Sequence, residues 1–211
     1  MKRFFQTLIS LAVGLSSSAY SLDLKDVKTQ FYAEVLVSEP DGNKAMPMSL
    51  RYDGEGNTAL VGPPPPGAPG KLRLVGNHFT NKFVFWVEND PKRTAMTMDQ
   101  QQFAQAMGVD LSKVKQSGKK LGTETYLGED CEHWQLNAEV QVNGKPVHGY
   151  LETCVSADNI ELWGSLNGKL VHKITRLERE PQPKDMFELP PGYKLLDIST
   201  LMQQLQKLKP Q

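Results

Sequence analysis

Apolar and polar residues alternate along much of this chain, and turn residues separate the alternating stretches. Phe31, Ala33, Val35 and Val37 alternate with more polar neighbours just before the turn sequence PDGNK. An extended strand points successive side chains to opposite faces, so a period of two is typical of a strand with one buried face. The pattern therefore predicts a fold made mainly of antiparallel strands.

The same alternation predicts further strands at 46–50, 71–75, 79–88 and 94–98. Two stretches have helical spacing instead. One runs from a capping Asp99 to Met107, and the other is an amphipathic segment over about 197–209. Its apolar face consists of Ile198, Leu201, Met202, Leu205 and Leu208. These elements together predict an α+β fold, mainly antiparallel β, with a C-terminal helix.

The beginning of the chain has the order of features found in a Sec signal peptide. Two basic residues precede an apolar stretch over 4–15, and small residues then lead to cleavage after Ala19 or Ser21. The apolar stretch is about 12 residues long, whereas a helix needs about 20 to cross a bilayer. We therefore predict a cleaved signal over residues 1–21 and a single exported domain over 22–211.

The charge balance argues against a nucleic-acid partner. Removing the signal leaves 22 basic and 24 acidic residues, whereas binding to phosphates normally needs a basic face. We interpret the short basic cluster of Lys113, Lys115, Lys119 and Lys120 as a solvated surface. Apolar runs after the signal are all too short to span a bilayer, so no membrane span is expected after cleavage.

The clearest hairpin runs from 131 to 155 around the dipeptide Asn143-Gly144, which favours a tight two-residue turn. If Val142 lies opposite Lys145, one face of the hairpin is apolar. It carries Trp134, Leu136, Ala138, Val140 and Val142 on the first strand, with Val147, Leu151 and Val155 on the second. The other face is expected to be polar, and it also carries Cys131, His133, His148 and Cys154.

The two cysteines, Cys131 and Cys154, are expected to form a disulfide because exported proteins fold in an oxidising compartment. In this register they are diagonal to each other, near the upper limit of disulfide reach, which implies a bulge or a register shift of two. One alternative is a metal site of Cys131, His133 and Cys154, although a fourth ligand is missing. Free thiols are the other alternative.

The sequence contains no pattern typical of a catalytic site. Its four histidines, His78, His133, His148 and His172, have no acidic or serine partner at a recognisable spacing. We therefore predict no catalytic residue, no metal and no cofactor, and we do not expect an enzyme. A site assembled across loops is the distant alternative.

Two proline clusters punctuate the chain. The segment PPPPGAPG at 63–70 is expected to be a rigid, exposed connection between strands, since proline interrupts sheet pairing. The alternative is a polyproline ligand for an aromatic groove. In the second cluster, FELPPGY at 187–193, Phe187 and Tyr193 are expected to pack back on the sheet.

Three segments, LGEDCEHWQL, GYLETCVSADNIEL and FELPPGY, resemble the C-terminal half of uncharacterised exported bacterial proteins related to the LolA/LolB lipoprotein-carrier superfamily. The stretch FVFWVENDPKRTAMTM at 83–98 resembles an earlier pair of strands of that fold. The positions that match the family pattern are Gly128, Cys131, Trp134, Cys154, Phe187, Pro190, Gly192 and Tyr193.

The resemblance implies an open, strongly curved half-barrel whose concave face is closed by capping helices and holds acyl chains or another apolar ligand. The residues expected to line that face are Trp134, Leu136, Val140, Leu151 and Phe85. The same residues could instead fill a core. Together with the signal, the resemblance implies a periplasmic location.

Two functional hypotheses follow for a protein of this kind. The first is a non-catalytic binding protein for a lipid or other apolar ligand. The second is an envelope protein that binds another protein through the proline segment or the tail helix.

Overall fold

The computed structural model describes residues 27–38, 44–99, 109–142 and 145–198, and these form one sheet of twelve strands. Each predicted strand is present in the sheet, and its ends lie within a few residues of the predicted ends. The strands are β1 (Phe31–Ser38), β2 (Ala45–Tyr52), β3 (Asn57–Gly62), β4 (Leu72–Asn77), β5 (Lys82–Val87), β6 (Thr94–Asp99), β7 (Val109–Tyr126), β8 (Glu129–Val142), β9 (Lys145–Ser156), β10 (Glu161–Leu166), β11 (Lys169–Glu178) and β12 (Lys194–Asp197).

The strands follow the order β12-β6-β5-β4-β3-β2-β1-β11-β10-β9-β8-β7, with β12 and β7 at the two edges. All neighbours are antiparallel except β12, which runs parallel to β6. The prediction of mainly antiparallel strands is confirmed. The sheet is open, as predicted for a half-barrel, but strong curvature along its whole length is not found, because contacts run almost entirely between neighbouring strands.

The predicted capping helices are also absent from the described residues, whose only helical element of a full turn is the 3₁₀ helix Lys184–Phe187. Asp99, expected to cap a helix, is the last residue of β6, and 100–107 lie outside the described residues. Asp197, the expected start of the tail helix, ends β12, and 199–211 again lie outside. Pairing with β6 keeps 194–197 extended.

The centre of the sheet is β1, whose alternating residues provide most of one buried face. Phe31, Ala33, Val35 and Val37 are all buried, and Tyr52 lies directly opposite Phe31 on β2. Strand β1 pairs with β2 on one side and with β11 on the other. We call the side of the sheet to which these β1 residues point the inner face.

The opposite side, which we call the outer face, is covered over β3 to β6 by the segment that links β11 to β12. Phe187, Leu189 and Tyr193 from this segment pack against Ala59, Val75, Trp86 and Ala95. The Tyr193 hydroxyl donates a hydrogen bond to the carbonyl of Val87 at 3.1 Å. The prediction that Phe187 and Tyr193 pack on the sheet is therefore confirmed.

The β8–β9 hairpin has the predicted register, with Val142 opposite Lys145 and Leu136 opposite Leu151. Cys131 and Cys154 form the predicted disulfide, with their Cα atoms 5.5 Å apart. The predicted bulge or register shift is wrong, because the ladder is continuous from Cys131 to Val142. The right-handed twist of paired strands shortens one of the two diagonals, which accounts for the reach.

The cysteine side of the hairpin is buried at this point, contrary to the prediction of a polar face. Cys131 is 1% and Cys154 0% exposed, and both belong to the core that includes Ile160 and Leu162. With both sulfurs in the disulfide, the alternative of a metal site using two thiolates is ruled out.

The sheet bends at the end where β8 begins and β11 ends. The Tyr126 hydroxyl donates to the carbonyl of Ile174 at 2.8 Å, although β8, β9 and β10 separate their strands. Arg179, just beyond β11, donates to Glu129 at 2.6 Å and to Asp158 at 2.8 Å. Strands β7 and β11 are four strand positions apart, and at about 4.8 Å for each position a flat sheet would hold Tyr126 and Ile174 too far apart for a hydrogen bond. This end of the sheet must therefore curve.

The segment at 63–70 connects β3 to β4, as predicted, and a backbone hydrogen bond from Ala68 to Pro65 closes a turn within it. None of the helices in the described residues has the length and apolar character needed to cross a bilayer.

Replacing both Cys131 and Cys154 by alanine should lower the free energy of unfolding by about 3 kcal/mol, because the disulfide closes a loop in the unfolded chain. Urea unfolding of the oxidised protein and the double variant measures the difference. Adding reductant to the unaltered protein should give the same loss, and a loss below about 1 kcal/mol would contradict this account.

Replacing Arg179 by glutamine should lower the free energy of unfolding at neutral pH by about 1 kcal/mol or less, since the ion pair between Arg179 and Asp158 is partly exposed. Hydrogen bonds from Arg179 hold the pKa of Asp158 at about 2, below its ordinary 3.8. A depressed folded pKa gives stability that is present above about pH 4 and lost as the pH falls through 2. The unaltered protein should therefore have a higher free energy of unfolding than Arg179→Gln at pH 6. This difference should largely disappear at pH 2, and urea unfolding at the two pH values measures it.

Candidate functional site: an apolar strip on the inner face

One row of apolar side chains crosses five strands on the inner face of the sheet. Cross-strand pairing places the row Leu50, Leu60, Leu74, Phe85 and Met96 side by side from β2 to β6. Directly paired residues in an antiparallel ladder point to the same face. Leu50 lies opposite Ala33 of β1, so this is the face that carries the central core.

Two further rows flank the first. Gly76, Phe83 and Met98 form one of them, and Leu72 pairs with Val87 in the other. We call the first row and these flanking residues, with Met48, the apolar strip. Apart from buried Leu60, its large side chains are half-buried.

Among the described residues of β2 to β6, the charged side chains lie on one face only. Arg51, Arg73, Lys82 and Asp99 alternate with strip residues and so point to the outer face. Among the described residues of these five strands, the inner face carries no charged side chain. The apolar residues of the outer face are already covered by the β11–β12 segment, so the strip is the face available for a ligand.

A glycine shapes one side of the strip. A Cβ built on Gly76 would lie 2.4 Å from Cδ1 of Phe83, far inside van der Waals contact. Only a residue without a side chain lets the Phe83 ring lie flat across β4 at this point. The position of Phe83 on the strip therefore depends on Gly76.

Of the five residues predicted to line a ligand site, Phe85 lies at the middle of the strip, between Leu74 and Met96. The others lie in β8 and β9. Leu136 is buried and pairs with half-buried Leu151. Val140 pairs with Val147 in the ladder, and only its backbone is described.

Trp134 is the fifth predicted residue, and it is half-buried. We call Trp134, Leu136, Val140 and Leu151 the Trp134 group. The indole Nε1 of Trp134 donates to Glu132 at 3.1 Å, and Lys120 donates to the same carboxylate at 2.5 Å. These hydrogen bonds, chiefly the one from Lys120, lower the pKa of Glu132. A charged carboxylate therefore borders this group, which is less suited to a purely apolar ligand than the strip.

Phe85 and Trp134 share one face but not one site. The pairs Val37 with His172, Gly164 with Thr153 and Thr153 with Trp134 place Trp134 on the inner face. However, β5 and β8 stand on opposite sides of β1, eight strand positions apart. At about 4.8 Å for each position, the separation along the sheet is roughly 40 Å.

A polar cluster on the inner face lies between the strip and the Trp134 group. The Thr153 hydroxyl is 2.7 Å from Glu161 Oε1, and His172 Nε2 is 3.7 Å from the same oxygen. A Cβ on Gly164 would lie 2.7 Å from the His172 ring. Thr153 and His172 therefore both face the Glu161 carboxylate. In a site where histidine activates a nucleophile, the hydroxyl would instead bond to the imidazole.

Most of the strip was missed by the sequence interpretation. Leu50, Leu74, Phe83 and Met96 fall in stretches predicted as strands, so their alternation carried the signal. What the sequence did not provide was the register between strands, which is what gathers these residues into rows.

No known family model matches this chain, and no curated protein matches it either. Solved structures do match. An uncharacterised conserved protein from Thermus thermophilus aligns with a TM-score of 0.53 at 10% identity, over 83% of this chain and 94% of the other. PNGF-II aligns with a TM-score of 0.50 at 12% identity over 85% of this chain.

This chain spans only 33% of the length of PNGF-II. A LolA superfamily protein, NE2245 from Nitrosomonas europaea, also matches, with a TM-score of 0.35 at 11% identity over 79% of this chain and 95% of the other. Identities this low show similarity of fold alone.

Replacing Gly76 by alanine should lower the free energy of unfolding by about 1–3 kcal/mol, because the new methyl group must displace Phe83. Gly122→Ala in β7 is the matched control, since a Cβ there meets nothing within 4 Å. In a Phe83→Ala background the Gly76→Ala change should cost much less. Equal effects of the two glycine substitutions in urea unfolding would refute the role of Gly76.

Proposed function

We propose that this protein is a non-catalytic binding protein that holds a lipid or another apolar ligand against the apolar strip. The observation that carries the proposal is the strip itself, a face of five strands without a charged side chain among the residues described there. Burying such a surface against an apolar ligand releases about 25 cal/mol for each Å² removed from water.

The composition of the strip supports an adaptable ligand site. Met48, Met96 and Met98 contribute unbranched, flexible side chains, and Phe83 and Phe85 contribute flat rings. Methionine adapts its shape to irregular ligands and recurs at surfaces that accept varied partners. The resemblance of the sequence to lipoprotein-carrier relatives agrees with an apolar ligand.

Export is part of the proposal. Residues 1–21 have the features of a cleaved signal, and they lie outside the described residues. The disulfide between Cys131 and Cys154 fits an oxidising compartment. We therefore propose a periplasmic location.

A second candidate function is binding to another envelope protein through the open edge of β7. This strand pairs with β8 alone, and residues 117–125 are all exposed. An edge strand with free backbone groups can accept a strand from a partner. The bulge between Lys120 and Gly122 interrupts that edge, however, and favours the first candidate.

Replacing Met96 and Met98 together by glutamine should weaken ligand binding at least about tenfold, because glutamine keeps the length of methionine but adds a polar amide. Titration with the fluorescent apolar probe N-phenyl-1-naphthylamine measures the change. Native mass spectrometry of the gently purified protein should also detect added mass that dissociates as lipid.

Lys82→Gln provides the control, because Lys82 lies on the outer face of β5. It should change probe affinity less than twofold. If the control weakens binding as much as the methionine variant, or if the unaltered protein does not bind the probe, the strip is not the ligand site.

A further inference from the structure

Within the described residues, the partly buried carboxylate of Glu161 accepts a single hydrogen bond. Its side chain is 22% exposed. The hydroxyl of buried Thr153 donates to Glu161 Oε1 at 2.7 Å. That hydroxyl also lies 3.0 Å from the carbonyl of Trp163, so its one hydrogen is shared between two acceptors. Nε2 of His172 is 3.7 Å from Oε1, which is beyond hydrogen-bond distance.

The second oxygen of this carboxylate, Glu161 Oε2, accepts no hydrogen bond from the described part of the chain. An ionised carboxylate can accept about four hydrogen bonds, and a charge taken out of water is normally paired. Glu161 can therefore accept a donor that the protein itself does not provide. A protonated amine is a donor that also balances the negative charge.

Gly164 provides the space in which this carboxylate lies. A Cβ built on Gly164 would be 2.9 Å from Glu161 Oε1 and 2.7 Å from Cε1 of His172. Both side chains therefore lie over a backbone position that only glycine leaves open. The carboxylate is held against the inner face of the sheet instead of extending into water.

The Glu161 carboxylate lies near the apolar strip on the same face. Its neighbour His172 pairs with Val37 of β1, which in turn pairs with Met46 of β2. Met48, a strip residue, is two positions further along β2. Two strand spacings of about 4.8 Å and two residues of about 3.4 Å place Met48 roughly 12 Å from His172. Apolar Val37 lies between them, so a chain bound on the strip can continue towards the carboxylate.

We infer that the strip binds an amphiphile with a protonated amine at one end, and that Glu161 binds this amine. The inference rests on the proposed function, because the strip provides the contacts for the apolar chain. It adds the charge of the head group. A fatty acid of the same chain length would bring its own carboxylate towards Glu161, and repulsion between like charges would weaken its binding.

Displacement of N-phenyl-1-naphthylamine by three twelve-carbon ligands tests the inference. Dodecylamine should displace the probe at about a tenfold lower concentration than dodecanoate, in keeping with one charge-assisted hydrogen bond. Glu161→Gln keeps the shape of the side chain but removes its charge, so the preference for the amine should fall below about threefold. Displacement by uncharged 1-dodecanol should be nearly the same for both proteins, which also shows that the variant is folded.

Glu152→Gln is the matched control. Glu152 precedes Thr153 on β9, so its side chain points to the other face of the sheet. This variant should keep the full preference for dodecylamine. If Glu161→Gln also keeps it, or if the unaltered protein does not prefer the amine, the inference is overturned while the proposed function stands. If the unaltered protein does not bind the probe at all, both are wrong.

Discussion

A flat sheet cannot cover its own faces, and this constraint governs the rest of the structure. Twelve strands form one sheet, so their apolar side chains are buried only where the sheet bends over itself, as it does near Tyr126, or where another segment lies across it. Over β3 to β6 the outer face is covered by Phe187, Leu189 and Tyr193. The inner face of the same strands keeps half-buried apolar side chains, and this imbalance is what makes it a candidate site.

The sequence predicted best those features that depend on neighbouring residues. The register of the β8–β9 hairpin follows from a two-residue turn and the alternation on each side, and both are local. The parallel pairing of β12 with β6 was not predictable in this way. Leu195 and Leu196 lie next to a segment with helical spacing, and only the distant β6 ladder keeps them extended.

For the candidate site, the sequence identified residue types but not their grouping. Phe85 and Trp134 do point to the same face, as an alternating pattern can indicate. Their separation is set by strand order, because β1 to β11 is a long-range pairing that no short motif encodes. The disulfide was predictable since its chemistry depends on the compartment, whereas its buried surroundings depend on how the sheet bends near Tyr126.

The pairing of β1 with β11 also constrains when the protein can fold. Tyr32 lies opposite Glu178, so β1, the first strand in the chain, cannot complete its pairing until β11, almost the last strand, has been made. Until that part of the chain has been synthesised, the central strand has only β2 beside it and half of its core is missing. High contact order of this kind slows folding. It also leaves a newly made chain unfolded for longer, and only an unfolded polypeptide can be threaded through a narrow pore.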